Sequence, residues 1–177
     1  QIVSLVFGLL LAGHETTTNA AGNLVLELLR DPAQWAAVRD NPDLAANAVE
    51  EGLRHASSVI AWRRRAVVDV EFGGVTIPAG GKILVALASA NRDEAAHDDP
   101  ERFMADRATA RDHIAFGNGA HFCIGAPLAR IELRVMIEEL TRAFPHMSLA
   151  EGQRIDFIRT IAFRGPERLE VELTAAA

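Results

Sequence analysis

The ten residues from Phe116 to Gly125 constrain this chain more than any other part of it. They read Phe-Gly-Asn-Gly-Ala-His-Phe-Cys-Ile-Gly and contain Cys123, the only cysteine among 177 residues. Glycines at 117, 119 and 125 permit the backbone to turn sharply or to lie close to a flat group. An amphipathic helix is predicted from Ile124 to Phe144. The sulfur therefore lies just before a first helical turn, where free N–H groups and the helix dipole favour a thiolate.

A thiolate framed by glycines in this way indicates a ligand for haem iron. Two other interpretations of Cys123 remain open from the residues alone. It could be a small buried apolar side chain, or a nucleophile with His121 as its base, although a nucleophile does not account for the three glycines. A disulfide within the chain would need a second cysteine, and a structural zinc site would need ligands that the sequence lacks.

At these residues the chain resembles the cytochrome P450 family of haem-thiolate monooxygenases. The family signature Phe-x-x-Gly-x-x-x-Cys-x-Gly is matched at every specified position. The sequence around this signature is most similar to that of the soluble bacterial branch. The usual pattern of that branch also specifies four further residues that are present here: His113, Ala115, His121 and Ala126. The resemblance implies haem b (iron protoporphyrin IX) as the cofactor, with Cys123 as its axial ligand. It also implies a mainly α fold with small β-sheets (α+β).

Composition excludes several other classes of protein. With 49% hydrophobic residues, the composition is not that of a disordered chain. The net charge is −6 and there is no long basic run, so the sequence does not indicate a basic surface that would bind nucleic acid. The longest apolar stretch, Ile2 to Ala12, is about half the ~20 residues needed to cross a bilayer, so we expect no membrane span. Without an initiator Met or a basic leader the stretch is a poor secretory signal. We therefore expect a cytoplasmic protein.

Hydrophobic periodicity and turn residues predict the order of the elements. Ile2 to Leu29 is apolar nearly all round in its first half, which predicts a helix buried on every side. Proline in the first turn indicates two shorter helices, Pro32 to Arg39 and Pro42 to His55. The remaining expectations are a β-meander from Arg65 to Leu87, an aperiodic stretch from Ala90 to Asp112, and terminal strands near Ile155 to Phe163 and Leu169 to Leu173.

Polar residues interrupt the first helix at Ala-Gly-His-Glu-Thr-Thr, residues 12–17. Such residues cost free energy in an apolar segment unless they are paired or used. One interpretation is that Thr16 and Thr17 bond back to carbonyls one turn earlier. The family resemblance implies another, in which Thr16 hydrogen-bonds iron-bound dioxygen and Glu15 feeds protons from solvent. Gly13 would then leave room above the haem and let the helix open to water.

Glu51 and Arg54 carry opposite charges at i and i+3, which alone is usually a weak exposed pair. In the family, Glu-x-x-Arg joins a third basic residue in a buried structural network that supports the cysteine loop. The bacterial pattern Phe-x-x-x-Arg indicates Arg107 for that position. Arg102 is the other candidate, and we expect it to lie on the surface.

Haem propionates need cationic or hydrogen-bonding partners. By resemblance the first candidate is His121, followed by Arg64 at the start of the β-region and then His113. Arg63 and Arg65 flank Arg64, and a shift of one residue would select one of them. The remaining cofactor contacts implied by the family motif are Phe116, Gly117, Gly125 and Ala129.

The resemblance implies insertion of one oxygen atom from dioxygen into a small organic substrate. The chain ends twelve residues after Gly165, so we expect electrons from a separate ferredoxin or flavodoxin with its reductase. We also expect residues 1–177 to be the C-terminal haem-binding portion of a single domain whose N-terminal part is absent, and to be inactive alone. Alternatives are a thiolate-haem gas sensor, an electron-transfer protein and a non-catalytic remnant of the fold.

Overall fold

Five α-helices carry most of the fold in the computed structural model, which describes residues 1–173. Asp31 separates the first two, and its side chain accepts from the Ala33 N–H over 3.0 Å, which caps the second helix. A 3-10 turn at Pro42–Leu44 leads into the third. The helices are α1 (Ile2–Arg30), α2 (Pro32–Asp40), α3 (Ala45–His55), α4 (Leu87–Ala90) and α5 (Ala126–Ala143).

The strands form antiparallel pairs. The turn of the second pair uses Gly73 and Gly74 at φ of +57° and +77°, a region that side chains with a Cβ rarely adopt. Trp62 lies opposite Val85, and Arg65 lies opposite Lys82 in the first pair. The pairs are β1 (Trp62–Arg65) with β4 (Lys82–Val85), β2 (Val70–Phe72) with β3 (Val75–Ile77), and β5 (Ser148–Leu149) with β6 (Val171–Glu172).

The C-terminal strands differ from the prediction. A continuous strand was expected near 155–163, but the structure has only isolated bridges there, Val59 with Phe163 and Phe157 with Pro166. The bridge at Pro166 consists of two hydrogen bonds, from the Ile158 N–H to the Gly165 carbonyl over 3.0 Å and from the Glu167 N–H to the Asp156 carbonyl over 2.9 Å, and the pairing does not extend beyond them. The strand near 169–173 exists as β6, and its partner β5 was not predicted.

Burial along α1 increases toward its C-terminal end. The apolar first half is exposed, with Ile2 at 79% and Phe7 at 68% of full accessibility, so residues 30–173 do not supply the neighbours that this apolar surface requires. Burial begins at Ala20 and is complete at Leu24, Leu26 and Leu28. None of the helices within residues 1–173 combines the length and apolar content needed to span a membrane.

The core lies where α1, α2, α3 and α5 meet. A Cβ on Gly52 of α3 would lie 2.7 Å from Leu24 Cδ1, so glycine permits the close approach of α3 to α1. The buried amide of Asn23 donates to the carbonyl oxygens of Ala56 and Arg164, each over 2.9 Å. This amide joins α1 to the end of α3 and to the C-terminal segment. The core side chains include Leu28, Val38, Val49, Leu133 and Ile137.

Candidate functional site

Two glycines shape the loop that precedes α5. Gly117 and Gly119 adopt φ of +74° and +76°, where a side chain would be strained. The Gly117 N–H donates to the Ile114 carbonyl over 2.8 Å, and the Asn118 side chain accepts from the Gly119 N–H over 2.7 Å. A 3-10 turn at Gly119–His121 follows. The loop therefore reverses direction twice within a few residues and returns the chain toward Phe116.

Cys123 lies at the point where this loop enters α5. Its N–H donates to the Phe116 carbonyl over 3.0 Å, and its own carbonyl accepts from the Ala126 N–H over 3.2 Å. The sulfur is a free, partly exposed thiol. A Cβ on Gly125 would lie 3.8 Å from Sγ, so the glycine leaves that flank of the sulfur open. Both ends of the signature are thus held around one accessible sulfur.

Exposed apolar side chains lie close to Cys123 in the sequence. Phe122 is 51% exposed, Ile124 is 90% exposed and Leu128 is 60% exposed, all within five residues of the sulfur. Ala129, the remaining predicted contact on α5, is half-buried, and its N–H donates to the Gly125 carbonyl over 2.9 Å. Residues 1–173 contain no cluster of three or more His, Cys, Asp or Glu side chains able to hold a metal ion. Cys123 therefore offers one accessible sulfur with exposed apolar residues close to it in the sequence.

The predicted propionate partners occupy different settings. His121 is exposed at the end of the 3-10 turn. Arg64 is exposed on β1, and its Nη1 donates to the Arg63 carbonyl over 3.2 Å. Alternation along the strand puts Arg64 on the same face as Trp62 and puts Arg65 on the other. Arg65 lies against Gly80, where a Cβ would come within 3.4 Å of its Nη2.

His113 does not fit the predicted contact with a propionate. Its ring is 1% exposed, and Nε2 lies 3.0 Å from Glu50 Oε2. Nδ1 accepts from the Ala115 N–H over 3.2 Å. Both ring nitrogens are therefore used within the protein, and neither is left for a cofactor carboxylate. Sequence similarity located the residue but not its partners.

The polar segment of α1 lies where exposure gives way to burial. The Thr16 hydroxyl donates to the Ala12 carbonyl over 2.6 Å, and Thr18 bonds in the same way to His14 over 2.8 Å. Glu15 and Thr16 are partly exposed. A Cβ on Gly13 would meet no atom within 4 Å. The back-bonding interpretation therefore holds for the Thr16 proton, while the Thr16 oxygen keeps lone pairs that can accept.

Glu51, Arg54 and Arg107 meet in one buried network. Arg54 donates to the two Glu51 oxygens over 2.7 and 2.9 Å, and Arg107 Nε donates to the same oxygens over 3.0 and 3.1 Å. The Met104 N–H adds a third donor over 3.0 Å. Burial alone would raise the pKa of Glu51, but these donors outweigh it and lower that pKa. The carboxylate is therefore ionised and fully satisfied.

The two arginines use their remaining donors on the segment before the cysteine loop. Arg54 Nη1 donates to the carbonyls of Asn91 and Pro100 over 2.9 and 3.0 Å. Arg107 Nη1 donates to the Asp98 carbonyl over 2.6 Å. Both reach the Arg102 carbonyl over 3.2 and 2.7 Å, while the Arg102 side chain is exposed, as expected. Charged side chains thus order a stretch that has little regular structure.

A second buried carboxylate, Glu50, was missed by the sequence analysis. It accepts from Arg130 over 2.7 and 3.1 Å and contacts His113, while Arg111 Nε lies 3.7 Å away at the surface. Burial would raise the pKa of Glu50, but the hydrogen bonds from His113 and Arg130 lower it to about 2. The sequence signal that could have identified Glu50 is the adjacent acidic pair Glu50-Glu51 in a helix of mostly small residues. Adjacent residues on a helix point in different directions, so the two carboxylates have different surroundings.

Comparison with known proteins gives concordant matches. Residues 1–171 match the family model described as Cytochrome P450. Cytochrome P450 107B1 of Saccharopolyspora erythraea is 44% identical over 175 residues, covering 97% of this chain and 42% of the relative. The 6-deoxyerythronolide B hydroxylase of the same organism is 40% identical over 174 residues, covering 98% of this chain and 43% of the relative.

A solved structure shows the same arrangement of elements. The P450 heme domain of Tepidiphilus thermophilus superimposes with a TM-score of 0.92 at 45% identity, covering 96% of this chain and 40% of that one. The chain therefore spans less than half the length of this solved structure, 40%, and less than half the length of the relative Cytochrome P450 107B1, 42%. The mixed helical and small-sheet fold expected from the sequence is confirmed by this match.

Proposed function

The chain belongs to the cytochrome P450 family, and from that premise we propose that it forms the haem-thiolate portion of a monooxygenase. The observation that carries the proposal is the setting of Cys123, a partly exposed free thiol at the entry to α5 within a glycine-turned loop. The proposed substrate is a small organic molecule. The proposed portion is the C-terminal part of one longer domain.

The residues present fit haem in three respects. A single soft thiolate donor suits iron, and no competing cluster of ligands occurs within residues 1–173. The exposed apolar side chains beside the sulfur suit a flat apolar macrocycle. Arg64 and His121 are exposed and offer donors for propionates, whereas His113 is committed to Glu50. Phe116, Gly117, Gly125 and Ala129 complete the proposed cofactor contacts.

Haem held by Cys123 would supply dioxygen activation, in which one oxygen atom passes to the substrate and the other is reduced to water by two electrons from the redox partner and two protons from solvent. The Cys123 thiolate would be the protein ligand of the iron and would donate electron density to it. Thr16 presents its hydroxyl oxygen as an acceptor because its proton is directed to Ala12. Glu15, partly exposed one residue earlier, exchanges its carboxyl proton with solvent and passes it toward Thr16. The network of Glu51, Arg54 and Arg107 contributes structure and no chemistry.

The electron source belongs to the same proposal. We propose a separate ferredoxin or flavodoxin with its reductase. A cytoplasmic location remains the expectation from the sequence.

One observation favours the second candidate, a thiolate-haem gas sensor or electron-transfer protein. The Thr16 hydroxyl is already bonded to the Ala12 carbonyl, and a side chain with a purely structural bond would need no part in a proton relay.

Isotopically labelled dioxygen distinguishes these candidates. The full-length protein that contains this chain is supplied with a ferredoxin and its reductase and with a panel of small organic substrates. Incorporation of one labelled atom per product molecule, with a thiolate-type Soret band in the reduced carbon monoxide complex, is the expected result. A thiolate-type band with reversible gas binding and no labelled product for any substrate would favour the sensor. Absence of the band would contradict both.

A further inference from the structure

Glu50 connects two elements that flank the cysteine loop. Its side chain is 3% exposed, on α3, and it contacts Arg130 of α5 and His113 of the segment that enters the loop. The two contacts are 2.7 Å to Arg130 Nε and 3.0 Å to His113 Nε2. Arg130 is partly exposed, with a third of its side chain accessible, whereas His113 is buried. One carboxylate thus holds a helix and a loop at a fixed separation.

Both partners of Glu50 contact residues at the start of the signature. His113 accepts from the Ala115 N–H, and its ring centroid lies 5.9 Å from that of Phe116. The Arg130 guanidinium lies over the Phe116 ring, with Cζ 4.6 Å from the centroid, in cation–π geometry. Arg130 therefore contacts the ring of Phe116, while His113 contacts the same ring and holds the N–H of the preceding residue, Ala115.

The last step leads from Phe116 to the sulfur. The Phe116 carbonyl accepts from the Cys123 N–H over 3.0 Å. A displacement of Phe116 consequently moves the peptide that carries Cys123. Glu51, next to Glu50, reaches Met104 and Arg107 instead and does not contact this chain of groups. The two neighbouring carboxylates therefore serve different segments.

We propose that Glu50 is a positioning residue for Cys123, acting through His113 and Arg130 on residues 115 and 116. The proposal rests on the proposed function, since it takes Cys123 as the iron ligand. A neutral glutamine has nearly the same shape but loses the charge that makes the Arg130 and His113 bonds strong. Glu50→Gln should therefore loosen the entry to the loop while leaving the Glu51 network intact.

Hydrogen exchange in the full-length holoprotein tests the positioning role directly. Glu50→Gln should speed amide exchange about tenfold or more in a peptide covering 114–125, and leave a peptide covering 98–107 unchanged. The fraction of reduced carbon monoxide complex with the thiolate-type Soret band should fall in the same variant. Glu138→Gln is the matched control, because it removes a half-exposed pair with Arg134 on α5, at 3.5 Å, and should change neither measurement.

Arg130→Lys provides a milder variant should Glu50→Gln give too little folded protein. It keeps the positive charge and loses the two-bond geometry and the flat contact with Phe116, so faster exchange confined to 114–125 is again expected. Equal acceleration in both peptides, or none in 114–125 with an unchanged band, would overturn the positioning role. A parent protein without the thiolate-type band would instead overturn the proposed function, while exchange in 114–125 would still report on Glu50.

Discussion

Arg54 and Glu51 form two parallel hydrogen bonds, of 2.7 and 2.9 Å, with both side chains fully buried. The pair spans i and i+3 on α3, a spacing that on an exposed helix contributes only a few tenths of a kcal/mol, about 0.2–0.5. Burial changes its importance, because loss of one partner leaves the other charge uncompensated in the interior.

Arg54→Ala should therefore destabilise the protein severely. Removal of one partner from a buried pair costs about 3–5 kcal/mol, and here it also removes the donors to Asn91 and Pro100. Little soluble holoprotein is expected, with a lower urea midpoint for what remains. Arg102→Ala is the control, since only the backbone carbonyl of Arg102 joins the network. Equal tolerance of both substitutions would show that the network is dispensable.

Cys123→Ala should abolish the thiolate-type Soret band of the reduced carbon monoxide complex. The band requires a sulfur ligand, and this chain has no second cysteine. His121→Ala should keep the band, because we propose that His121 contacts the cofactor edge and not the iron. Haem retention is measured in parallel, so that loss of cofactor is separated from loss of the ligand. Persistence of the band in Cys123→Ala would refute the ligand assignment.

Thr16→Ala should bind and reduce haem normally but divert electrons into peroxide. Thr18→Ala is a matched control, since Thr18 lies two residues further along the helix and makes the same bond to the carbonyl four residues earlier, without the proposed relay role. Glu15→Gln should slow proton delivery on the order of a hundredfold and raise the solvent isotope effect. Peroxide and product are measured per electron consumed. Identical coupling in the Thr16 and Thr18 variants would leave Thr16 a structural residue.

Acid stability should depend on Glu50. Its pKa in the folded protein is about 2, below its ordinary value of 4.5, so the folded state holds its proton less tightly than the unfolded chain. The resulting stabilisation, at most about 3 kcal/mol, is complete above pH 4.5 and is lost as pH falls toward 2. Glu50→Gln should flatten the decline in unfolding free energy between those values. Denaturant titrations at several pH values measure it, and an undiminished slope would contradict the role of Glu50.

Sequence patterns were sufficient for the elements that carry local signals. Pro32 and Pro42 begin helical turns where predicted, because a missing N–H costs nothing at the first turn. Glycines 117 and 119 have the positive φ values that their spacing in the signature indicated. The meeting of Glu51 with Arg107 depended on family similarity, since 56 residues separate them.

The remaining features depend on tertiary contacts that no local pattern records. The family pattern predicts His113 as a cofactor contact but carries no sign of its partner Glu50, which lies 63 residues earlier. The exposure of Phe7 follows from an apolar helix surface that the later helices are too few to cover, but hydropathy alone does not show which turns of α1 those helices reach. Residues 155–163 have β-branched and aromatic side chains, but within the described residues their pairing is limited to the single bridges of Phe157 and Phe163.

Asn23 joins parts of the chain that are synthesised at very different times. Its amide bonds to the carbonyl oxygens of Ala56 and Arg164, which follow it by 33 and 141 residues. The bond to Ala56 can form once α3 has been synthesised, whereas the bond to Arg164 must wait for the C-terminal segment. The anchoring of α1 is therefore completed last, after α2 and α3 have already packed against the leucines of its second half.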